Sequence, residues 1–99
     1  MLKKKITDSR LRDIVDRILA VADPEKIVLY GSRARQANDP LSDFDLALFG
    51  RVDMGKIWAS LEEANTLLNI DVVAFDEARD EKFKRKILEE GVIIYEREI

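Results

Sequence analysis

Apolar runs and amphipathic segments alternate along the whole chain, and this order restricts the fold more than any other feature of the sequence. In residues 8–21 the apolar side chains recur every three or four positions, which predicts a helix with Asp8 or Ser9 as its N-cap. The predicted helices are residues 8–21, 32–37, 53–68 (capped by Asp53) and 77–90 (ended by Gly91), and the predicted strands are residues 27–30, 43–49, 70–75 and 92–95. Their alternation predicts an α/β fold.

The composition narrows the chemistry that the chain can perform. Its 99 residues suit one domain, residues 1–99. The sequence contains no Cys and no His, which excludes disulfides, zinc sites, thiol nucleophiles and imidazole catalysis. Catalysis must then depend on carboxylates, hydroxyls, Lys or Arg, and the expected metal is Mg²⁺ or Mn²⁺.

Charge and hydropathy restrict the partners. With 17 basic and 20 acidic residues the formal net charge is -3, so general nucleic-acid binding is not expected. No apolar run approaches the roughly 20 residues that span a bilayer. The basic start at residues 1–5 lacks the apolar stretch of a signal peptide. A cytoplasmic protein without membrane contact is predicted.

Gly31 and Ser32 stand where a predicted strand gives way to a predicted helix. The free N–H groups and the dipole of such a helix start attract phosphate, the Ser hydroxyl adds a donor, and Gly permits close backbone approach. The alternative is an ordinary turn in which Ser32 caps the helix.

Asp43 and Asp45 are two residues apart on a predicted strand, so both carboxylates project from one face. A shared divalent cation would remove their mutual repulsion. The helical connection from there to Asp71 favours a parallel strand pair, which brings Asp71 to the same end of the sheet. The shorter connection from Ser32 suits an antiparallel neighbour and places the Gly-Ser corner there too. The alternative is the solvated face of an edge strand.

With these motifs the sequence resembles the DNA polymerase beta-like nucleotidyltransferase superfamily in its shortest form, the minimal nucleotidyltransferase. That pattern is a hydrophobic strand with Gly-Ser, an Asp-x-Asp between apolar residues, and a third acid on a later strand. The resemblance covers about residues 9–96, and its matching segments are Leu29–Arg35, Leu41–Leu46 and Asn69–Val73. It implies a two-layer α/β fold with a mixed four-stranded sheet and flanking helices.

The resemblance also implies a mechanism and a site. Two Mg²⁺ ions, or Mn²⁺, would be held by the three acids during transfer of AMP from ATP, and Asp71 would assist deprotonation of the acceptor. Phosphates would be held by Gly31, Ser32, Arg33 and Arg35. The two Arg side chains have the alternative of mere solvation. Gln36 departs from the Gly that is common there in bacterial members, which affects the expected loop geometry.

Minimal members of the family are often paired with a HEPN-type ribonuclease toxin, so the resemblance implies an antitoxin that adenylylates such a partner. The alternative is a binding module that neutralises its partner by contact alone. Either a homo- or a hetero-oligomer is compatible with the sequence.

Trp58 and Tyr30 are predicted to pack in the core or at an interface. The last helix is predicted to turn Phe83, Ile87 and Leu88 to the core. Its basic residues are predicted to face solvent: Lys82, Lys84, Arg85 and Lys86.

Overall fold

In a computed structural model of the protein, the described residues are 1–31, 33–34, 43–64 and 69–98. The elements in these ranges are, in order, β1 (Leu2–Lys3), α1 (Ser9–Val21), β2 (Lys26–Tyr30), β3 (Phe44–Phe49), α2 (Met54–Leu61), β4 (Ile70–Ala74), a 3₁₀ turn (Phe75–Glu77), α3 (Glu81–Glu90) and β5 (Val92–Glu96). Most of the helix predicted over residues 32–37 lies outside the described residues. None of the helices in the described ranges is long and apolar enough to cross a membrane.

The sheet is mixed and has five strands in the order β1-β5-β2-β3-β4. The α/β class and the mixed sheet agree with the prediction, whereas the predicted count of four strands is wrong. The additional strand, β1, pairs in parallel with β5 over only two residues, Leu2 and Lys3, which are both exposed. A strand so short and so exposed has no alternating pattern that a sequence could reveal.

Helices cover both faces of the sheet. Helices α1 and α2 share a core with Ile27 and Leu29 of β2 and with the β3 side chains that point to the same face of the sheet. Helix α3 packs on the other face, where Ile87 and Phe83 meet Val28 and Tyr30. The predicted two-layer arrangement therefore describes α1, α2 and the sheet, and α3 adds a partial third layer. Leu88 is 48% exposed, so its predicted place in the core was wrong.

An Asp side chain begins each of the helices α1, α2 and α3. Asp8 accepts from the Arg10 N–H at 2.8 Å and Asp53 from the Lys56 N–H at 3.3 Å, so Asp8 rather than Ser9 caps α1. Asp80 accepts from two backbone N–H groups, and α3 therefore begins at Glu81 and not at residue 77. Helix α2 ends at Leu61, short of the predicted residue 68.

Strand directions determine which strand termini lie together at one end of the sheet. Strands β2 and β3 are antiparallel, and β3 and β4 are parallel, as the connection lengths predicted. Strand β5 runs antiparallel to β2 and is therefore parallel to β3 and β4. Accordingly β2 ends where β3, β4 and β5 begin. This end of the sheet is named the carboxylate end because Asp43, Asp45 and Asp71 lie there.

Candidate active site

Asp45 lies in the middle of a row of three side chains that crosses the sheet near the carboxylate end. The Cα partner of Asp45 on β4 is Asp71, and its Cα partner on β2 is Tyr30. Paired residues of neighbouring strands point to the same face, so the two carboxylates and the phenol share one surface. It is the face that α3 covers, because the next residues along on the same side, Ala47 and Val73, pack with α3.

Asp43 lies one residue before β3 and is exposed. The next residue, Phe44, donates its N–H to the carbonyl of Asn69 at 3.0 Å, which sets Asp43 beside the beginning of β4. The sequence predicted that Asp43 and Asp71 open their strands together. The observed register shows that Asp71 is in fact opposite Asp45, with Asp43 two residues farther out.

The row of polar groups is electrostatically strained. Burial raises the pKa of the Asp45 carboxyl, the negative charges of Asp71 and Asp43 raise it further, and the positive charge of Lys86 lowers it. Burial likewise raises the pKa of Tyr30 to about 12, with added contributions from Asp71 and Asp45. The phenol is therefore protonated even well above neutral pH, and the carboxylates repel one another.

The donor set fits a hard divalent cation. Three carboxylates on one face supply only oxygen ligands, which is the chemistry that Mg²⁺ and Mn²⁺ prefer. Within the described ranges, however, no three acidic side chains lie close enough together to hold an ion as they stand.

Gly31 lies directly against the Asp45 carboxylate. Its φ of 76° is in the left-handed region that favours glycine, and a Cβ at this position would collide with the Asp45 carboxylate oxygen. Gly31 and the Asp-x-Asp strand therefore lie at the same end of the sheet, as the sequence predicted. Ser32 and Arg35, the other predicted phosphate contacts, lie outside the described residues.

The Arg33 side chain contacts Phe44 and Asp8, and the structure does not show it on the carboxylates of the candidate site. Its guanidinium lies over the ring of Phe44 with 4.0 Å between the guanidinium carbon and the ring centre. Its Nη1 is 3.6 Å from the Asp8 carboxylate, and its side chain is only 13% exposed. Phe44 belongs to the core on the α1 and α2 side of the sheet.

The sequence analysis did not assign to the site two groups that interact with its acids. Tyr30 is buried and packs edge to face against Phe83, as a core residue should, but its strand register also places it beside Asp45. Lys86 was assigned to a solvated helix face. It is exposed, yet its charge acts on Asp45 because α3 lies on the face of the carboxylates. Counting strand residues back from Gly31 would have pointed to Tyr30, whereas nothing local singles out Lys86.

An α/β domain with a mixed sheet, and with acids at the end of the sheet where a Gly-Ser corner follows a strand, is typical of enzymes that act on nucleotides. The family model described as polymerase beta, nucleotidyltransferase, matches residues 13–99. The chain belongs to this family, whose members are transferases that typically depend on a divalent metal and act on nucleotides. A search of curated proteins finds no match to the chain.

Proposed function

We propose that the protein is a minimal nucleotidyltransferase that moves AMP from ATP onto a hydroxyl group of a protein partner. The register of β3 and β4 carries the proposal, because it sets Asp45 beside Asp71 at the end of the sheet where Gly31 also lies. Family membership over residues 13–99 supports nucleotidyl transfer as the class of reaction.

In this proposal Asp43, Asp45 and Asp71 would hold two Mg²⁺ ions, with Mn²⁺ as the alternative. When bound, the ions would supply positive charge that stabilises the leaving pyrophosphate. Asp71 accepts the proton of the acceptor hydroxyl while the oxygen of that hydroxyl bonds to the α-phosphorus of ATP. The bond between the α-phosphorus and the oxygen that links it to the β-phosphorus breaks, and pyrophosphate leaves.

The phosphate groups of ATP are proposed to bind at the Gly-Ser corner. Gly31 has no side chain there, which allows phosphate to approach the backbone closely. The Ser32 hydroxyl and the following N–H groups donate to phosphate oxygens, and the Arg35 guanidinium pairs with them. Tyr30 presents a neutral hydroxyl on the face of the carboxylates, and burial, which raises its pKa to about 12, extends this neutral form well above neutral pH.

The acceptor is proposed to be a protein, and a HEPN-type toxin is the partner that the family resemblance suggests. In this proposal the acceptor hydroxyl reaches the carboxylate end from a partner protein, which contributes part of the surface around the nucleotide. The exposed Trp58 on α2 offers an apolar contact of the type enriched at interface centres. Such a pair would act as toxin and antitoxin in the cytoplasm, as a hetero-oligomer.

Transfer can be tested with α-³²P-labelled ATP, Mg²⁺ and the protein encoded beside this one. The expected result is label on the partner, none when Mg²⁺ is chelated, and none with Asp45→Asn. Label from γ-³²P-labelled ATP would instead indicate a kinase. A stable complex that inhibits the partner with no label from either substrate would refute the enzyme and favour a module that acts by contact.

A further inference from the structure

Arg33 connects the two halves of the candidate site through the far side of strand β3. It follows Gly31 by two residues, and its guanidinium lies 4.0 Å from the centre of the Phe44 ring. Phe44 is the middle residue of Asp43-Phe44-Asp45 and is fully buried among the residues that α1 and α2 cover. This side-chain contact joins the chain just after Gly31 to the strand that carries both acids, in addition to the pairing of β2 with β3.

The surroundings of Arg33 favour a planar guanidinium. On one side is the aromatic ring, and Asp8, the cap of α1, lies 3.6 Å from Nη1. Arg10 shares both partners, at 2.8 Å from the Asp8 carboxylate and 5.6 Å from the ring centre. A guanidinium can stack on a ring and pair with a carboxylate together, which the compact ammonium of Lys cannot reproduce.

We infer that Arg33 is a positioning residue that fixes the course of the chain just after Gly31 relative to β3, and that it does not bind phosphate. The inference rests on the proposed function, since this course matters only if a nucleotide is held there. The pairing of β2 with β3 ends at Tyr30 and Asp45, and beyond it the contact of Arg33 with Phe44 holds the chain against β3. To reach phosphate on the opposite face, Arg33 would have to leave both Phe44 and Asp8.

Kinetics distinguishes the two roles. Misplacement by 1 Å costs about 100-fold in rate, so Arg33→Ala is expected to lower kcat about 10- to 100-fold while KM for ATP changes by less than about 2-fold. Arg33→Lys should remain defective, because it keeps the charge and loses the stacked plane. A raised KM with kcat retained, and recovery in Arg33→Lys, would identify a phosphate ligand and overturn the inference.

Matched variants separate positioning from loss of packing. Arg10→Ala removes a guanidinium from the same ring without touching the Gly-Ser corner, and kcat should stay within about 3-fold of the parent. Phe44→Leu should repeat the kinetic defect of Arg33→Ala, and the double variant should be no worse than either single one. Leu48→Val, a fully buried change on the same face of β3, should leave kcat unchanged and so controls for core damage.

A spectroscopic measurement decides the question even if no transfer occurs. The Arg33 Nε–H proton, which lies near the Phe44 ring, should give a shifted NMR signal that Phe44→Leu abolishes. We expect this signal to keep its position with a saturating nonhydrolysable ATP analogue and Mg²⁺. Its return to the ordinary Arg position on nucleotide binding would overturn the inference. Absence of transfer in the parent protein, with the signal held in place, would count against the proposed function alone.

Discussion

Asp45 and Asp71 lie opposite each other on the parallel strands β3 and β4, and Tyr30 completes the row on β2. Two carboxylates side by side on a partly buried face repel, which is why the charge of Asp71 adds to burial in raising the pKa of Asp45. A cation bound between them would relieve the repulsion. The metal-free protein therefore carries an unfavourable interaction at the place where the proposed chemistry needs a metal.

Replacing one acid should abolish transfer without harming the fold. Asp43→Asn or Asp45→Asn is expected to lower Mg²⁺-dependent transfer by more than about 100-fold. Replacing a residue that only hydrogen-bonds to a metal ligand already lowers activity by about 10- to 100-fold. The free energy of unfolding without metal should hold or rise by up to about 1 kcal/mol, because one like charge is gone. Labelled transfer and urea denaturation test the two effects. Asp76→Asn, an exposed acid after β4, is the control and should behave as the parent protein.

Added Mg²⁺ should stabilise the isolated protein, independently of any partner. Binding to the folded state alone raises the free energy of unfolding by about 2.7 kcal/mol at 100 times the dissociation constant. We expect a rise that saturates with Mg²⁺ in the parent protein and in Asp76→Asn, and no such rise in Asp45→Asn. Thermal denaturation against Mg²⁺ concentration provides the measurement. Equal stabilisation of the Asp45 variant would show that the ion binds elsewhere.

The stability of the metal-free protein should depend on pH through Asp45 and Asp8 in opposite directions. Asp45 has a raised pKa in the folded state, so its protonation favours folding as pH falls from neutral toward the ordinary value of 3.8. Asp8 has its pKa lowered to about 2, chiefly by the side-chain hydrogen bond from Arg10, so its contribution is present above 3.8 and is lost as pH falls through about 2.

Urea midpoints measured against pH in a chelator, for the parent protein and Asp45→Asn, isolate the first effect. The difference in stability between the two should narrow on acidification through the raised pKa of Asp45. Asp71, Asp43, Lys86 and Tyr30 act around Asp45 and remain in both proteins, so their own titration largely cancels. A difference that stays constant with pH would show that Asp45 has an ordinary pKa.

Gly31→Ala should damage both the fold and the site. A left-handed backbone at a residue other than glycine costs about 1–3 kcal/mol, and the new methyl group would also collide with the Asp45 carboxylate. We expect lower stability in denaturation and loss of transfer even at temperatures where the variant is fully folded. Gly55→Ala is the matched control: Gly55 lies in the first turn of α2, where alanine is favoured by up to about 1 kcal/mol. An active Gly31→Ala protein would show that the corner tolerates displacement.

Trp58 should contribute to binding of the proposed partner. It is 41% exposed on α2, and removal of a buried interface Trp typically costs 2 kcal/mol or more, so Trp58→Ala is expected to weaken the complex at least about 10-fold. Leu88→Ala removes an equally exposed apolar side chain from α3 on the other face and serves as the comparison. Titration calorimetry with the purified partner measures both. Weakening by Leu88→Ala alone would place the interface on α3.

The features that the sequence predicted correctly are those that depend on near neighbours. Asp53 caps its helix through a hydrogen bond within one turn, and residues 44–49 form the strand that was predicted over residues 43–49. The pairing directions of β2, β3 and β4 followed from connection lengths. Gly91 ends the last helix as predicted; its φ is -73°, and a Cβ there would collide with Val28.

Tertiary structure alone decided how distant segments meet. The register that sets Asp45 opposite Asp71, the face on which α3 brings Lys86 toward the acids, and the stacking of Arg33 on Phe44 each depend on packing summed over residues far apart in the chain. A shift of two residues would keep every side chain on its face and set another residue opposite Asp71, and no local pattern excludes such a shift by itself. The sequence therefore determined the chemical groups of the site, whereas packing across the sheet determined which of them became neighbours.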